Sequence, residues 1–146
     1  MIDKKWIGHE LAATTMTLER GRLCAFSRTI GETDPLYTDL AAAQGAGFCD
    51  VLVPPTFLFG AELDAGTVDS MLADLEIPIA KILHGEQSFT YHKPVCAGET
   101  VTVKSRIADI FDKKYGALEF LVKTSQVHND KNELVAELRT VLVVRN

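Results

Sequence analysis

Four runs of alternating residues fill the back half of the chain. From Gln87 to His92 the order Gln-Ser-Phe-Thr-Tyr-His puts Phe89 and Tyr91 on one face. Val101, Val103, Ser105 and Ile107 alternate in a second run, and Leu118, Phe120, Val122 and Thr124 in a third. The fourth, Leu134 to Val144, alternates early and becomes apolar on both faces at Val141-Leu142-Val143-Val144. Period-two alternation predicts half-buried strands, and a two-sided apolar run predicts a strand covered on both faces. Ala97-Gly98-Glu99, Lys114-Tyr115-Gly116 and Asn129-Asp130-Lys131-Asn132 supply turn chemistry between the runs. Connections this short predict antiparallel pairing, because parallel neighbours need a long crossover.

The front half has helical spacing instead. Ile7 to Thr15 reads as a first strand, and Thr17 is placed to cap a helix carrying Leu23, Phe26 and Ile30, ended by Gly31. Asp34-Pro35 restarts a short helix running to Gln44, with Asp34 as its cap and proline in its first turn. Gly45 to Pro55 is irregular. Thr56 to Leu63, almost without polar residues, predicts a buried helix closed by Gly66. One buried helix with about five antiparallel strands predicts an α+β layout in which the sheet wraps a central helix. An open sheet of this kind leaves an edge, so association through that edge is expected.

Composition narrows the function classes. The chain has 146 residues, 47% hydrophobic and 24% charged, which suits one domain spanning 1–146 with a core that needs neither disulfides nor metal. A net charge of −5 argues against a nucleic-acid groove or a polybasic membrane patch. Cys24, Cys49 and Cys96 are far apart with no C-x-x-C pair, and read as small core residues in a reducing compartment. No window reaches the roughly 18 apolar residues of a membrane span. Met1 to Trp6 lacks the apolar stretch of a signal peptide, so a cytoplasmic location is expected.

Three segments can carry chemistry. Gly31-Glu32-Thr33-Asp34-Pro35-Leu36-Tyr37 offers two carboxylates and a phenol between helices. A carboxylate near an apolar helix can be raised in pKa and act as a base, while Asp34 is equally a plain cap, Glu32 a solvated loop residue and Tyr37 a packing residue. The second segment, Val53-Pro54-Pro55-Thr56-Phe57, opens the buried helix. Proline has no N–H, so Thr56, Phe57 and Leu58 are the donors there for an oxyanion, unless the double proline is simply a rigid entry. The third is Leu83-His84-Gly85-Glu86-Gln87, with Tyr91-His92-Lys93-Pro94 at the far end of its strand. Parity places His84 and His92 on one face, yet roughly 20 Å or more apart at ~3.3 Å per residue, too far to share a metal. No metal, phosphate-loop, dinucleotide or serine-hydrolase motif stands in the sequence.

In this order the three segments resemble the MaoC-like dehydratases of the hotdog superfamily, above all the N-terminal, fatty-acid-synthase-type branch. The resemblance runs from Ile7-Gly8 through Gly31 to Tyr37, Val53-Pro54-Pro55-Thr56 and His84 to Gln87, to Tyr91-His92-Lys93-Pro94 and Gly98. It implies a hotdog fold and reversible addition of water to trans-2-enoyl thioesters of coenzyme A or acyl carrier protein, without a cofactor. Active members carry Gly-Asp-x-Asn-Pro-x-His before the central helix and hold the enolate oxygen on backbone N–H at the helix start. Gly31 and Pro35 match that pattern. Glu32 falls at the catalytic Asp, Asp34 at the Asn, Tyr37 at the catalytic His, and Thr56 at the helix-start Gly.

That departure bears on function. A phenol with an ordinary pKa near 10 shuttles protons poorly at neutral pH. In heterodimeric and two-repeat members one hotdog unit lacks the dyad and supplies the acyl pocket while its partner does the chemistry, and this chain resembles such a unit. Pro55, Thr56, Phe57 and His84 are then the substrate-binding candidates. A homodimer using Glu32 or Asp34, a non-catalytic acyl-thioester binder and a hotdog thioesterase are the other readings. Thr67 to Ile82, with Met71, Leu72, Leu75, Ile77 and Ile79, reads as a packed helix and loop in preference to an acyl tunnel. Lys81, Lys93 and Arg139 read as surface charges in preference to phosphate ligands.

Overall fold

The computed structural model describes residues 1–113 and 115–146, so Lys114 of the expected Lys114-Tyr115-Gly116 turn lies outside the described residues. Strands β1 (Thr14–Thr17), β2 (Ile82–Tyr91), β3 (Thr100–Lys113), β4 (Leu118–His128) and β5 (Leu134–Arg145) form one antiparallel sheet in the order β1-β3-β4-β5-β2. The helices are α1 (Arg20–Thr29), α2 (Leu40–Gly45), α3 (Gly60–Asp64) and α4 (Thr67–Asp74). The α+β expectation holds, with α3 against the inner face of the sheet: Ala61 is buried and Glu62 reaches Lys123 and Ser125 of β4.

The alternation read from sequence is the burial pattern of the sheet. Val101, Val103, Ser105 and Ile107 are buried on β3 while Lys104 and Arg106 are exposed. Two apolar clusters lie on the inner face. One gathers Leu18, Leu23, Val51, Phe57, Val103, Val127 and Leu138, the other Met71, Leu72, Ile107, Leu121 and Leu142. Between them runs a polar belt. Ser105 donates to Ser125 at 2.7 Å, Ser125 donates to Glu62 at 3.2 Å, Glu62 is ion-paired to Lys123, and Thr140 donates to Gln87 at 2.7 Å. The register places Ser105 opposite Ser125, Lys123 opposite Thr140, and Thr140 opposite Gln87, so the belt crosses β3, β4, β5 and β2.

The front half is more broken than its spacing predicts. The first strand is short. Gly8 and Leu11 bond to Ile107 and Ser105, but the ladder is continuous only over β1. Thr17 therefore ends β1, with its hydroxyl on Thr100, and Glu19 takes the cap position of α1. The helix expected from Asp34 to Gln44 divides into a 3-10 turn, Pro35–Tyr37, and α2, because Asp39 starts a second cap by accepting from Ala42 N–H at 2.9 Å. The central helix likewise begins as a 3-10 turn, Phe57–Phe59, before α3, and Gly66 (φ 69°) separates α3 from α4. Met71, Leu72 and Ile77 of the next segment are buried in the second apolar cluster, which is the packed reading.

The expectation that His84 and His92 share a face is also overturned. The β2–β5 register shifts between His84 and Glu86, leaving Gly85 as the extra residue of a bulge. Gly85 is pressed so closely on β5 that a Cβ would lie 2.8 Å from Val143 Cγ2. A bulge of one residue reverses parity beyond it. His84, opposite Leu142, is on the inner face and stacks on Phe59, whereas His92 is on the outer face against Glu137.

Candidate active site

Glu32 and Asp34 both serve the backbone of their own loop. Glu32 Oε1 accepts from the N–H groups of Thr33 at 2.8 Å and Asp34 at 2.9 Å, and Asp34 Oδ1 accepts from Leu36 N–H at 2.9 Å. This is the local turn chemistry that short acidic side chains provide. It delivers Tyr37, at the end of the 3-10 turn, to the rim of a cavity of about 350 Å³ lined by Tyr37, Val53, Pro55, Leu58, Tyr91 and Pro94. Burial first, then the carboxylates of Glu32 and Asp34 and the Tyr91 phenol, push the Tyr37 hydroxyl above its ordinary pKa. The phenol is thus neutral across the physiological range.

The opening of the central helix is strained. Thr56 has φ 73°, the left-handed region that a β-branched residue avoids at a cost of about 1–2 kcal/mol. Its N–H donates to the Tyr91 hydroxyl at 2.9 Å, and Phe57 N–H donates to Pro54 C=O at 3.2 Å. Thr56 also lines a second cavity of about 650 Å³, with Arg22, Phe26, Phe57, Phe59 and Phe89 on its walls. Phe57 is buried edge-on against Phe26, with the Arg22 guanidinium over its ring. The structure therefore places Tyr37 and Pro55 on one apolar hollow and Thr56 and Phe57 on the other, with Glu32 and Asp34 on the loop before Tyr37, near enough to act on its phenol. His84 stands apart, exposed and stacked on Phe59 at 5.0 Å between ring centroids.

Sequence reading missed Tyr91 as a site residue. The signal was available in its inner-face parity with Phe89, but the contact joins residues 35 positions apart. It also placed all three cysteines in the core, and the fold corrects this for Cys49, which is exposed on the irregular loop while Cys24 and Cys96 are buried. Lys93 and Arg139 are surface ion-pair partners of Glu133 and Glu86. A broader concavity of about 930 Å³, lined by Lys104, Arg106, Glu137 and Arg139, lies on the outer face, across the sheet from these groups.

The model of the FAS1-like dehydratase domain region matches residues 5–138. This chain belongs to that dehydratase-domain family. A UPF0336 protein of Streptomyces avermitilis is 31% identical over 145 residues, covering 99% of this chain and 95% of its own. The HadBC (3R-hydroxyacyl-ACP dehydratase) complex of Mycobacterium tuberculosis contains a chain that superposes with a TM-score of 0.78 at 23% identity, covering 94% of this chain and 96% of that one. The ChsH1–ChsH2 complex of Mycobacterium tuberculosis gives 0.68 at 16% identity, over 95% and 98% of the two chains. At such identities these likenesses establish the fold, which is the hotdog. Among the described residues, no helix is long and apolar enough to cross a membrane.

Proposed function

We propose that this chain is the acyl-binding unit of an (R)-specific 3-hydroxyacyl-thioester dehydratase, running equally as an enoyl-thioester hydratase. A second hotdog chain bearing the Asp and His completes the site. The observation that carries this reading is the pairing of a neutral Tyr37 at the family's histidine position with two carboxylates committed to their own loop. Hydration needs a base to activate water and an acid to protonate the α-carbon. A phenol raised above its usual pKa does neither well at neutral pH.

What the chain retains is the means to hold a substrate. The two apolar hollows suit an acyl chain, and the Thr56 N–H suits the thioester oxygen, which becomes an enolate oxygen in the reaction. A thioester oxygen taking that N–H must displace the Tyr91 hydroxyl, so Tyr91 stands at the entrance to the acyl site. The exposed edge of β2, ending at Tyr91, is where a second hotdog sheet would continue this one. The relatives in HadBC and ChsH1–ChsH2 belong to two-chain complexes, which supports a partnered role. We place it in the cytoplasm, acting on coenzyme A or acyl carrier protein thioesters.

The purified chain should bind acyl thioesters yet leave crotonyl and longer enoyl thioesters unhydrated, and gain turnover when mixed with a hotdog protein carrying an intact Asp–His pair. Hydration by the chain alone that disappears in Glu32→Ala overturns the partnered reading in favour of a self-sufficient enzyme. Release of free thiol without hydration overturns it in favour of a thioesterase.

A further inference from the structure

Outside the site, two of the three cysteines converge. Cys49, on the irregular loop after α2, and Cys96, on the turn before β3, come together with Glu99, and one ligating atom from each lies within 4.8 Å of the other two. Both stretches of backbone are pinned. Val53 N–H bonds to Val95 C=O and Ala97 N–H to Val51 C=O, both at 2.9 Å, with Leu52 bridged to Cys96 between them. Glu99 Oε1 accepts from Cys96 N–H at 2.7 Å, which holds the carboxylate beside the thiols and leaves its other oxygen to ligate. Asp50, next to Cys49, is fixed by a two-pronged contact from Arg20 at 2.8 and 2.6 Å.

We propose that Cys49, Cys96 and Glu99 form a binding site for a thiophilic divalent cation of the Zn²⁺ class. Two thiolates and a carboxylate are donors that such an ion takes in a tetrahedron, with water in the fourth position. A tetrahedral ion needs sulfurs about 3.8 Å apart, and Cys49, exposed on its loop, has the freedom to close any remaining gap. Burial, and then the Cys49 thiol, push the Cys96 thiol up, while backbone N–H groups of Asp50 and Cys49 act against that rise. The cation binds as two thiol protons leave, and the same N–H groups then stabilise the bound sulfur. Bound there, it would tie the loop that leads into Pro54-Pro55 to the turn at Val95–Gly98. Leu52, Val53 and Val95 on those two stretches line the smaller cavity, so occupancy would stiffen one wall of it. The site stands on its own residues and does not depend on the dehydratase reading.

Co²⁺ is the probe, added to the fully reduced, chelator-treated full chain. One equivalent should produce a thiolate-to-cobalt charge-transfer band that Zn²⁺ displaces, and Zn²⁺ should raise the melting temperature. Cys49→Ser, at an exposed position that leaves the core intact, should weaken binding at least about tenfold and abolish the thermal shift. Glu99→Gln keeps an oxygen for the Cys96 N–H and should weaken binding less. A reduced protein with no charge-transfer band at one equivalent, or an equal band and equal affinity in Cys49→Ser, overturns the proposal. Thioester binding by the metal-free chain is a separate readout, so failure here leaves the dehydratase reading where it stands.

Discussion

Glu32 and Asp34 sit on the rim of the site and give their oxygens to N–H groups one or two residues away, whereas Glu62 is 3% exposed and meets a lysine from the far side of the core. The first arrangement is local. Each hydrogen bond there is worth about 1 kcal/mol and can be exchanged for water. The second is global, since an ion pair out of water is costly to form and more costly to break by halves. The loosely held carboxylates shape one loop, and the firmly held one ties α3 to the sheet. In the belt, Lys123 and Ser125 of β4 both meet Glu62, which ties α3, whose Ala61 belongs to the first apolar cluster, to the sheet.

That contrast can be broken at its strong end first. Lys123→Met leaves Glu62 buried without its partner and should cost about 3–5 kcal/mol in urea unfolding, while Glu62→Leu combined with Lys123→Met should recover most of the loss. A double variant as unstable as the single would mean that the pair is not the tie. Asp34→Ala removes a cap from one 3-10 turn and should cost about 1 kcal/mol by the same measurement, several times less than the core variant. The smallest effect is in pH. The Tyr37 phenol is pushed up in the folded chain, so its proton favours the fold. Its contribution is intact below the ordinary tyrosine pKa of about 10 and is lost as pH rises through the higher folded value. Unfolding midpoints should therefore decline less steeply above about pH 10 in Tyr37→Phe than in the parent chain.

The sheet was legible because alternation is a local signal: Val101, Val103, Ser105 and Ile107 declare their face within seven residues. The order of the three candidate segments was legible too, and it led to the right family. Three things were not. Glu62 stands in Phe59-Gly60-Ala61-Glu62-Leu63 and Lys123 in Phe120-Leu121-Val122-Lys123-Thr124, each a lone charge in an apolar run, and nothing in either run names a partner 61 residues away. The Cys49–Cys96 pair is hidden by the same long separation. By contrast, the parity of His84 was open to reading, because it turns on Gly85 and a glycine inside a strand is itself the mark of a bulge. At Thr56 the left-handed backbone was invisible, because only the family's glycine at that position hints at it.

The bulge has a further consequence. Along the free margin of β2, residues on either side of Gly85 are one step out of phase. A strand laid there in continuous register satisfies one stretch and misses the other. It must bring a matching step of its own or stop short. The opposite margin of the sheet is β1, four residues long. The molecule thus carries one long edge with a tooth in it and one edge too short to grip, a shape that selects its neighbour and gives an endless ribbon nowhere to continue.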